Sequence, residues 1–279
     1  MTSMGMMEFS IGKQARRTSA YSGLGVYFIN DIGGDSKFSI KTGGVTASGV
    51  LPLSKAHAIS AGIQVGYSNR SADFSRLTFY NQWNGTQFDP NIDPNEVNGV
   101  NSFSHLDAGI GVAYSYNKDN ENTLSASDLS FQGGFSMQHL NRPTLRYNSL
   151  VDDKLPIKMC IHANLRYGLS PESNLEFSAA QFIQAQYLET IGGMFYRLKM
   201  KSASRLTSFV SDQYFVIGSY FRSTGAIIPS VFLDLGGFLI GISYDYELGK
   251  IASMYRQSVE VSLKFNFGKK SIFSSSKMR

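Results

Sequence analysis

Apolar and polar residues alternate with a period of two along most of this chain. Between residues 156 and 168 one parity reads Ile157, Met159, Ile161, Ala163, Leu165 and Tyr167, and the other Lys158, Cys160, His162, Asn164 and Arg166. Successive side chains of a strand point to opposite faces, so the segment predicts a strand lying between two different surroundings. The same pattern occupies Ile59, Ala61, Ile63, Val65 and Tyr67, and recurs late in the chain at Val259, Val261, Leu263, Phe265 and Phe267. Similar runs fall near 21–29, 37–51, 102–116, 126–138, 173–183, 186–198, 213–222, 225–235 and 237–247, with a weaker one near 4–12. That makes about 13 strands, most of about 10 residues or more, where globular strands average about 5–6. A tilted strand needs about 9–11 residues to cross a bilayer. No segment carries a sustained helical stripe.

The connections are short at 52–56, 170–172 and 223–224, and long and polar at 69–101 and 139–155. Membrane barrels keep short turns on the periplasmic side and longer loops outside. Here that alternation holds in the first half and breaks at 199–212. The long loops are the expected place for partner contacts. Tyr67, Tyr114, Tyr116, Tyr167, Tyr220, Phe221, Tyr244, Tyr246, Phe265 and Phe267 fall near strand ends, as interfacial girdles would.

Composition narrows the alternatives. Charged residues make up 17% of the 279, against about 25% in a usual soluble domain. A soluble sandwich or lipocalin-like barrel would need to bury all these long strands in one core, which so few charges make difficult. The most apolar stretch, 225–242, is interrupted by Pro229, Ser230, Asp234, Gly236 and Gly237, so no membrane-spanning helix is predicted. Net charge is +5, and basic runs stop at the pairs Arg16-Arg17 and Lys269-Lys270, which argues against nucleic acid. The first ten residues lack the charged start, apolar run and cleavage site of an export signal.

Candidate chemistry is sparse. Cys160, the single cysteine, excludes an intrachain disulfide and a cysteine zinc cluster, and is expected to be a buried, inert thiol. His57, His105, His139 and His162 lack metal-ligand spacing. The acidic run from Asp89 through Asp93 to Glu96 lacks the ligand alternation and central glycine of a calcium loop. Gly23 and Gly25 belong to a strand rather than to a nucleotide loop. Lys158, Arg166, Glu176, Glu260 and Lys264 lie on polar faces and would form a filler network or line a channel. No serine sits in a nucleophile elbow. No enzyme, cofactor or metal is predicted.

Several separated segments resemble the PorP/SprF family, outer-membrane proteins of the type IX secretion system of Bacteroidota. The stretch Gly23 to Gly33 is similar to the family's early strand and its turn at Asn30, Asp31 and Gly33. Asp73 and Ser75 open a long loop containing Asp89 and Pro90, as in the family's third segment. Residues 106–114, followed by Gly133, Gly134, His139, Leu140 and Pro143, resemble the central strand pair and its His-Leu-x-x-Pro cap. Arg222, Tyr244, Asp245 and the run from Val259 to Leu263 follow in the family's order. Together these segments cover about 20–267.

The resemblance implies an all-β, antiparallel, up-and-down transmembrane β-barrel of 14 strands. On this reading the first strand and signal peptide are missing ahead of Met1. Residues 1–267 form the barrel and 268–279 a basic polar tail. It implies a non-enzymatic outer-membrane component of the secretion and gliding apparatus. Its partners would be the bilayer, a secreted cargo or adhesin with a type IX C-terminal domain, and an OmpA-like peptidoglycan-binding protein or a lipoprotein. Asp31, Gly33, Asp73, Ser75, Asp89, Pro90, His139, Pro143, Arg222, Tyr244 and Asp245 would be its structural or partner-facing positions. A general porin-like channel and a soluble all-β ligand-binding protein are the competing readings.

Overall fold

A computed structural model describes residues 1–12, 19–73, 77–93, 102–118, 129–148, 151–202, 212–249 and 257–266. The chain is all-β and antiparallel. Its strands are β1 (Thr2–Ile11), β2 (Tyr21–Gly33), β3 (Phe38–Pro52), β4 (His57–Ser71), β5 (Ser102–Lys118), β6 (Leu129–Gln138), β7 (Thr144–Asn148) and β8 (Val151–Lys154). There follow β9 (Lys158–Ser170), β10 (Ser173–Gln184), β11 (Tyr187–Lys201), β12 (Gln213–Arg222), β13 (Ala226–Asp234), β14 (Phe238–Glu247) and β15 (Gln257–Phe265). Thirteen of them join in up-and-down order from β1 to β15, while β7 and β8 form a separate hairpin. Every run of period-two alternation predicted above is a strand of this sheet.

Two compact units divide the chain, one made of 1–113 with 135–159, the other of 114–134 with 160–279. Within the first, β2, β3 and β4 pair without interruption from Gly33↔Phe38 and Ser39↔Ser71 onward. The outward parity carries Leu24, Val26, Phe28, Val45, Ile63, Val65 and Val112, all exposed, while Ser39, Ser68 and Asp107 are buried. The second unit repeats the inversion. Ile161, Met194, Ile217 and Val231 are exposed and Ser173 and Ser230 buried; on β13, Val231 is 39% exposed and its neighbour Ser230 only 2%. A soluble core would have it the other way round.

The inward faces accommodate bulk by omitting it elsewhere. Tyr27 lies over Gly44, its direct cross-strand partner, and over Gly66 beyond it; a Cβ on these glycines would meet Tyr27 Oη at 2.5 and 2.6 Å. Gln64 Nε2 donates to the same hydroxyl at 2.7 Å. In the second unit Phe195 lies over Gly218 and Phe232 over Gly241, again direct pairs. Phe195 meets the rings of Tyr220 and Phe232 edge-on, with centroids 4.7 and 5.9 Å apart.

Several expectations are corrected. The segment 139–155 is not an open loop: it holds the β7–β8 hairpin, registered from Thr144↔Lys154. Asn30, Asp31 and Gly33 form no turn but stay in β2, and the reversal uses Gly34 (φ +70°) and Lys37 (φ +50°). The connection expected at 199–212 starts later, because Lys199 still belongs to β11, which runs to Lys201 with a register shift between Lys199 and Lys201. Cys160 is partly exposed rather than buried. Tyr220 departs from the outward girdle, because its ring covers Gly193 on the inward face. Phe267 and the tail at 268–279 lie outside the described residues.

Candidate functional site

In the first unit the β2–β3 turn and the connections after β4 and β6 leave the same strand ends, because consecutive antiparallel strands alternate direction. Most sequence-predicted positions of that unit gather there. Asp31 sits opposite Thr2 and accepts its hydroxyl at 2.6 Å. Gly33 closes β2, with open space around it. The Asp73 amide donates to Ser36 O at 2.7 Å, tying the exit of β4 to the β2–β3 turn. Ser75 lies outside the described residues.

His139 ends β6 in the left-handed region at φ +60° and places Nδ1 2.9 Å from Asp107 Oδ1 of β5. These two side chains are 18% and 10% exposed. Two residues on, Asn141 imitates a strand edge: its Nδ2 donates to Leu106 O at 2.7 Å and its Oδ1 accepts from Ala108 N at 3.2 Å. Between them the Leu140 amide donates to Ala108 O. Pro143 is buried and its carbonyl accepts from Leu155 N at 2.9 Å, closing the base of the β7–β8 hairpin beside buried Leu145 and Leu155. The sequence segment from His139 to Pro143 is thus a clamp that fastens a hairpin to β5. Asp89 lies in the connection after β4, where its carboxylate accepts from Asn91 N and Nδ2 at 2.9 and 3.0 Å, and Pro90 occupies the turn between them.

In the second unit the β10–β11 and β12–β13 turns and the exit of β14 share one end. Arg222 is the hub there. It meets Asp245 at 2.8 Å, Glu189 at 3.5 Å and Glu247 at 3.8 Å, one guanidinium among three carboxylates. Tyr244, next along β14, points to the other face and donates to Gln257 Oε1 of β15. The opposite end carries a chain of charges. Glu176 receives Arg166 Nε at 2.7 Å and Arg197 Nε at 2.8 Å, and Arg197 reaches Asp234 at 3.1 Å while lying 4.6 Å over the Tyr214 ring. Lys199 pairs with Asp212 at 3.1 Å. Of the five polar-face charges Lys158, Arg166, Glu176, Glu260 and Lys264, Arg166 and Glu176 pair with each other, and Arg197 and Asp234 extend the chain.

The structure joins Arg222 to Asp245, and His139 to Pro143 through one clamp. Sequence reasoning missed Asp107, Asn141, Glu189 and Glu247. For the last two the signal was present: inward parity beside the same turns as Arg222. Among the described residues no group of three or more histidine, cysteine or carboxylate side chains is placed to hold a metal. The clamp and both networks consist of ion pairs and hydrogen bonds that hold strand ends together.

A family model described as type IX secretion system membrane protein PorP/SprF matches residues 4–265. No curated protein matches the chain.

Proposed function

Because this chain belongs to the PorP/SprF family of type IX secretion system membrane proteins, we propose that it is a non-enzymatic outer-membrane β-barrel that supports secretion and surface attachment of a large cargo protein or adhesin, including one used in gliding. Its partners on this reading are the bilayer, the cargo's C-terminal domain and, at the periplasmic turns, an OmpA-like peptidoglycan-binding protein or a lipoprotein. The positions at the loop ends, Asp31, Gly33, Asp73, Ser75, Asp89, Pro90, His139, Pro143, Arg222, Tyr244 and Asp245, shape the partner-facing side.

The observation that carries the proposal is the inversion of faces along strands of a family member: Val231 is exposed beside buried Ser230 on β13, and Leu106 beside buried Asp107 on β5. Only a nonpolar solvent rewards that arrangement, and a sheet in such a solvent must satisfy its backbone groups internally. The test is purification from outer-membrane fractions followed by identification of what remains bound. A large secreted protein ending in a type IX C-terminal domain is the expected companion. Recovery of the protein alone, with steady ion conductance in planar bilayers, would replace this reading with the porin. The rings of Tyr27, Phe195 and Phe232 lying on glycines, and the Arg197 and Arg222 networks, occupy inward faces and favour low conductance.

A further inference from the structure

The connection after β4 is long, yet its described part is internally built. Gln82 is its centre and is buried, 6% exposed. Gln82 Oε1 accepts from the Phe79 amide at 3.0 Å, its Nε2 donates to Ile92 O at 3.1 Å, and its carbonyl accepts from the Asp89 amide at 2.9 Å. A short 3-10 turn at Tyr80–Gln82 leads into Trp83, which forms an isolated bridge with Phe88. Asn84 Oδ1 caps the reversal between them, accepting from Thr86 N and Gln87 N at 3.0 and 2.9 Å, and Gly85 supplies φ +99°. All this internal bonding holds aromatic rings in water: Tyr80 is 96%, Trp83 54% and Phe88 41% exposed.

Ordering a loop costs conformational entropy at every residue fixed. A loop that spends a buried glutamine on order, yet leaves Trp and Tyr outside, has the anatomy of a pre-organised binding surface, whose anchors are rigid aromatic rings. Its charge selects the partner. The connection from 72 to 101 carries four carboxylates, Asp73, Asp89, Asp93 and Glu96, against one cation, Arg76, in a chain of net charge +5.

We propose that the knot at 79–92 is a docking surface for a basic segment of a protein partner, with Lys or Arg side chains stacking on Trp83 and Tyr80 and facing the carboxylate of Asp89. The stacking is a cation–π contact, and the acidic surround raises the local concentration of the cation. An aromatic knot could instead sink into the lipid headgroups. A loop with four carboxylates and one cation is poorly suited to an anionic membrane surface, so the protein partner is the occupant favoured here. The inference deepens the secretion reading by naming a surface for the partner, and its test is independent of that reading.

Trp83 is the chain's single tryptophan, so the emission of the whole protein reports on this loop. The full chain in phosphatidylcholine nanodiscs is titrated with a soluble peptide of alternating Gly and Arg, and in parallel with its Gly and Glu counterpart. A saturable change in emission with the arginine peptide only is expected, weakened about tenfold or more between roughly 20 and 300 mM salt. Tyr80→Ala with Asp89→Asn should weaken it by at least about tenfold, and Gln82→Ala should do so through disorder of the knot. Asp35→Asn, a charge change in the β2–β3 turn, should leave it unchanged. Equal responses to both peptides, no response, or quenching of Trp83 by lipids brominated near the headgroup overturns the proposal. If the arginine peptide binds but no secreted protein co-purifies, the secretion reading fails and this one stands. If a secreted protein co-purifies equally with wild type and the Tyr80→Ala, Asp89→Asn variant, this one fails alone.

Discussion

Tyr220 lies flat across Gly193, its direct partner between β12 and β11, so closely that a Cβ on the glycine would stand 2.7 Å from Tyr220 Cε1. The next residue back, Gly192, points to the other face and has nothing within 4 Å of such an atom. Two adjacent glycines therefore answer one substitution differently. Gly193→Ala should destabilise by about 1–3 kcal/mol, the usual cost of overpacking, and Gly192→Ala should be neutral within about 0.5 kcal/mol. Urea midpoints of the protein refolded into detergent or lipid decide it.

Arg222 holds Glu189, Asp245 and Glu247 in one cluster. Arg222→Met leaves three partly buried carboxylates facing one another, and a loss of about 1–3 kcal/mol is expected, less than for a fully buried pair because water reaches the side chains. Adding Asp245→Asn and Glu247→Gln to that variant should recover most of the loss. A double-mutant cycle on unfolding midpoints separates this repulsion from lost packing.

The His139–Asp107 contact makes a distinct prediction. Glycine suits the backbone of residue 139 at φ +60° better than histidine does. His139→Gly should nevertheless weaken the clamp, by about 1 kcal/mol for the lost hydrogen bond. Asn141→Ala, which removes two bonds to β5, should act the same way. Limited proteolysis should cut within 144–154 faster in both variants while the sheet stays intact.

Face polarity is tested at neighbouring positions of β9. Ile161 is 48% exposed on the apolar parity and His162 lies on the other. Ile161→Arg puts a cation into hydrocarbon, at a cost of about 2–4 kcal/mol near the bilayer midplane, whereas His162→Arg should be tolerated. Yield of folded, membrane-inserted protein is the measurement.

The thirteen strands of the sheet were legible because their two faces meet different solvents, and that difference writes a period of two into residues such as Ile157 to Tyr167. The β7–β8 hairpin was not legible. It is short, rich in Asn and Asp, and owes its order to Asn141 and Pro143 rather than to any alternation of its own. Ring-over-glycine pairs such as Phe232 on Gly241 depend on cross-strand register, which period alone does not set. Arg222 and Asp245 were both singled out from the sequence, yet their pairing also required the register of β12, β13 and β14. Gln82 gave no signal at all, since an amide in a polar loop looks like every other amide until its partners are in place.

The outermost strands, β1 and β15, stand first and thirteenth in strict up-and-down order. Odd places share one heading, so both run the same way. Each edge, taken by itself, therefore offers its backbone groups to an added strand of the opposite heading.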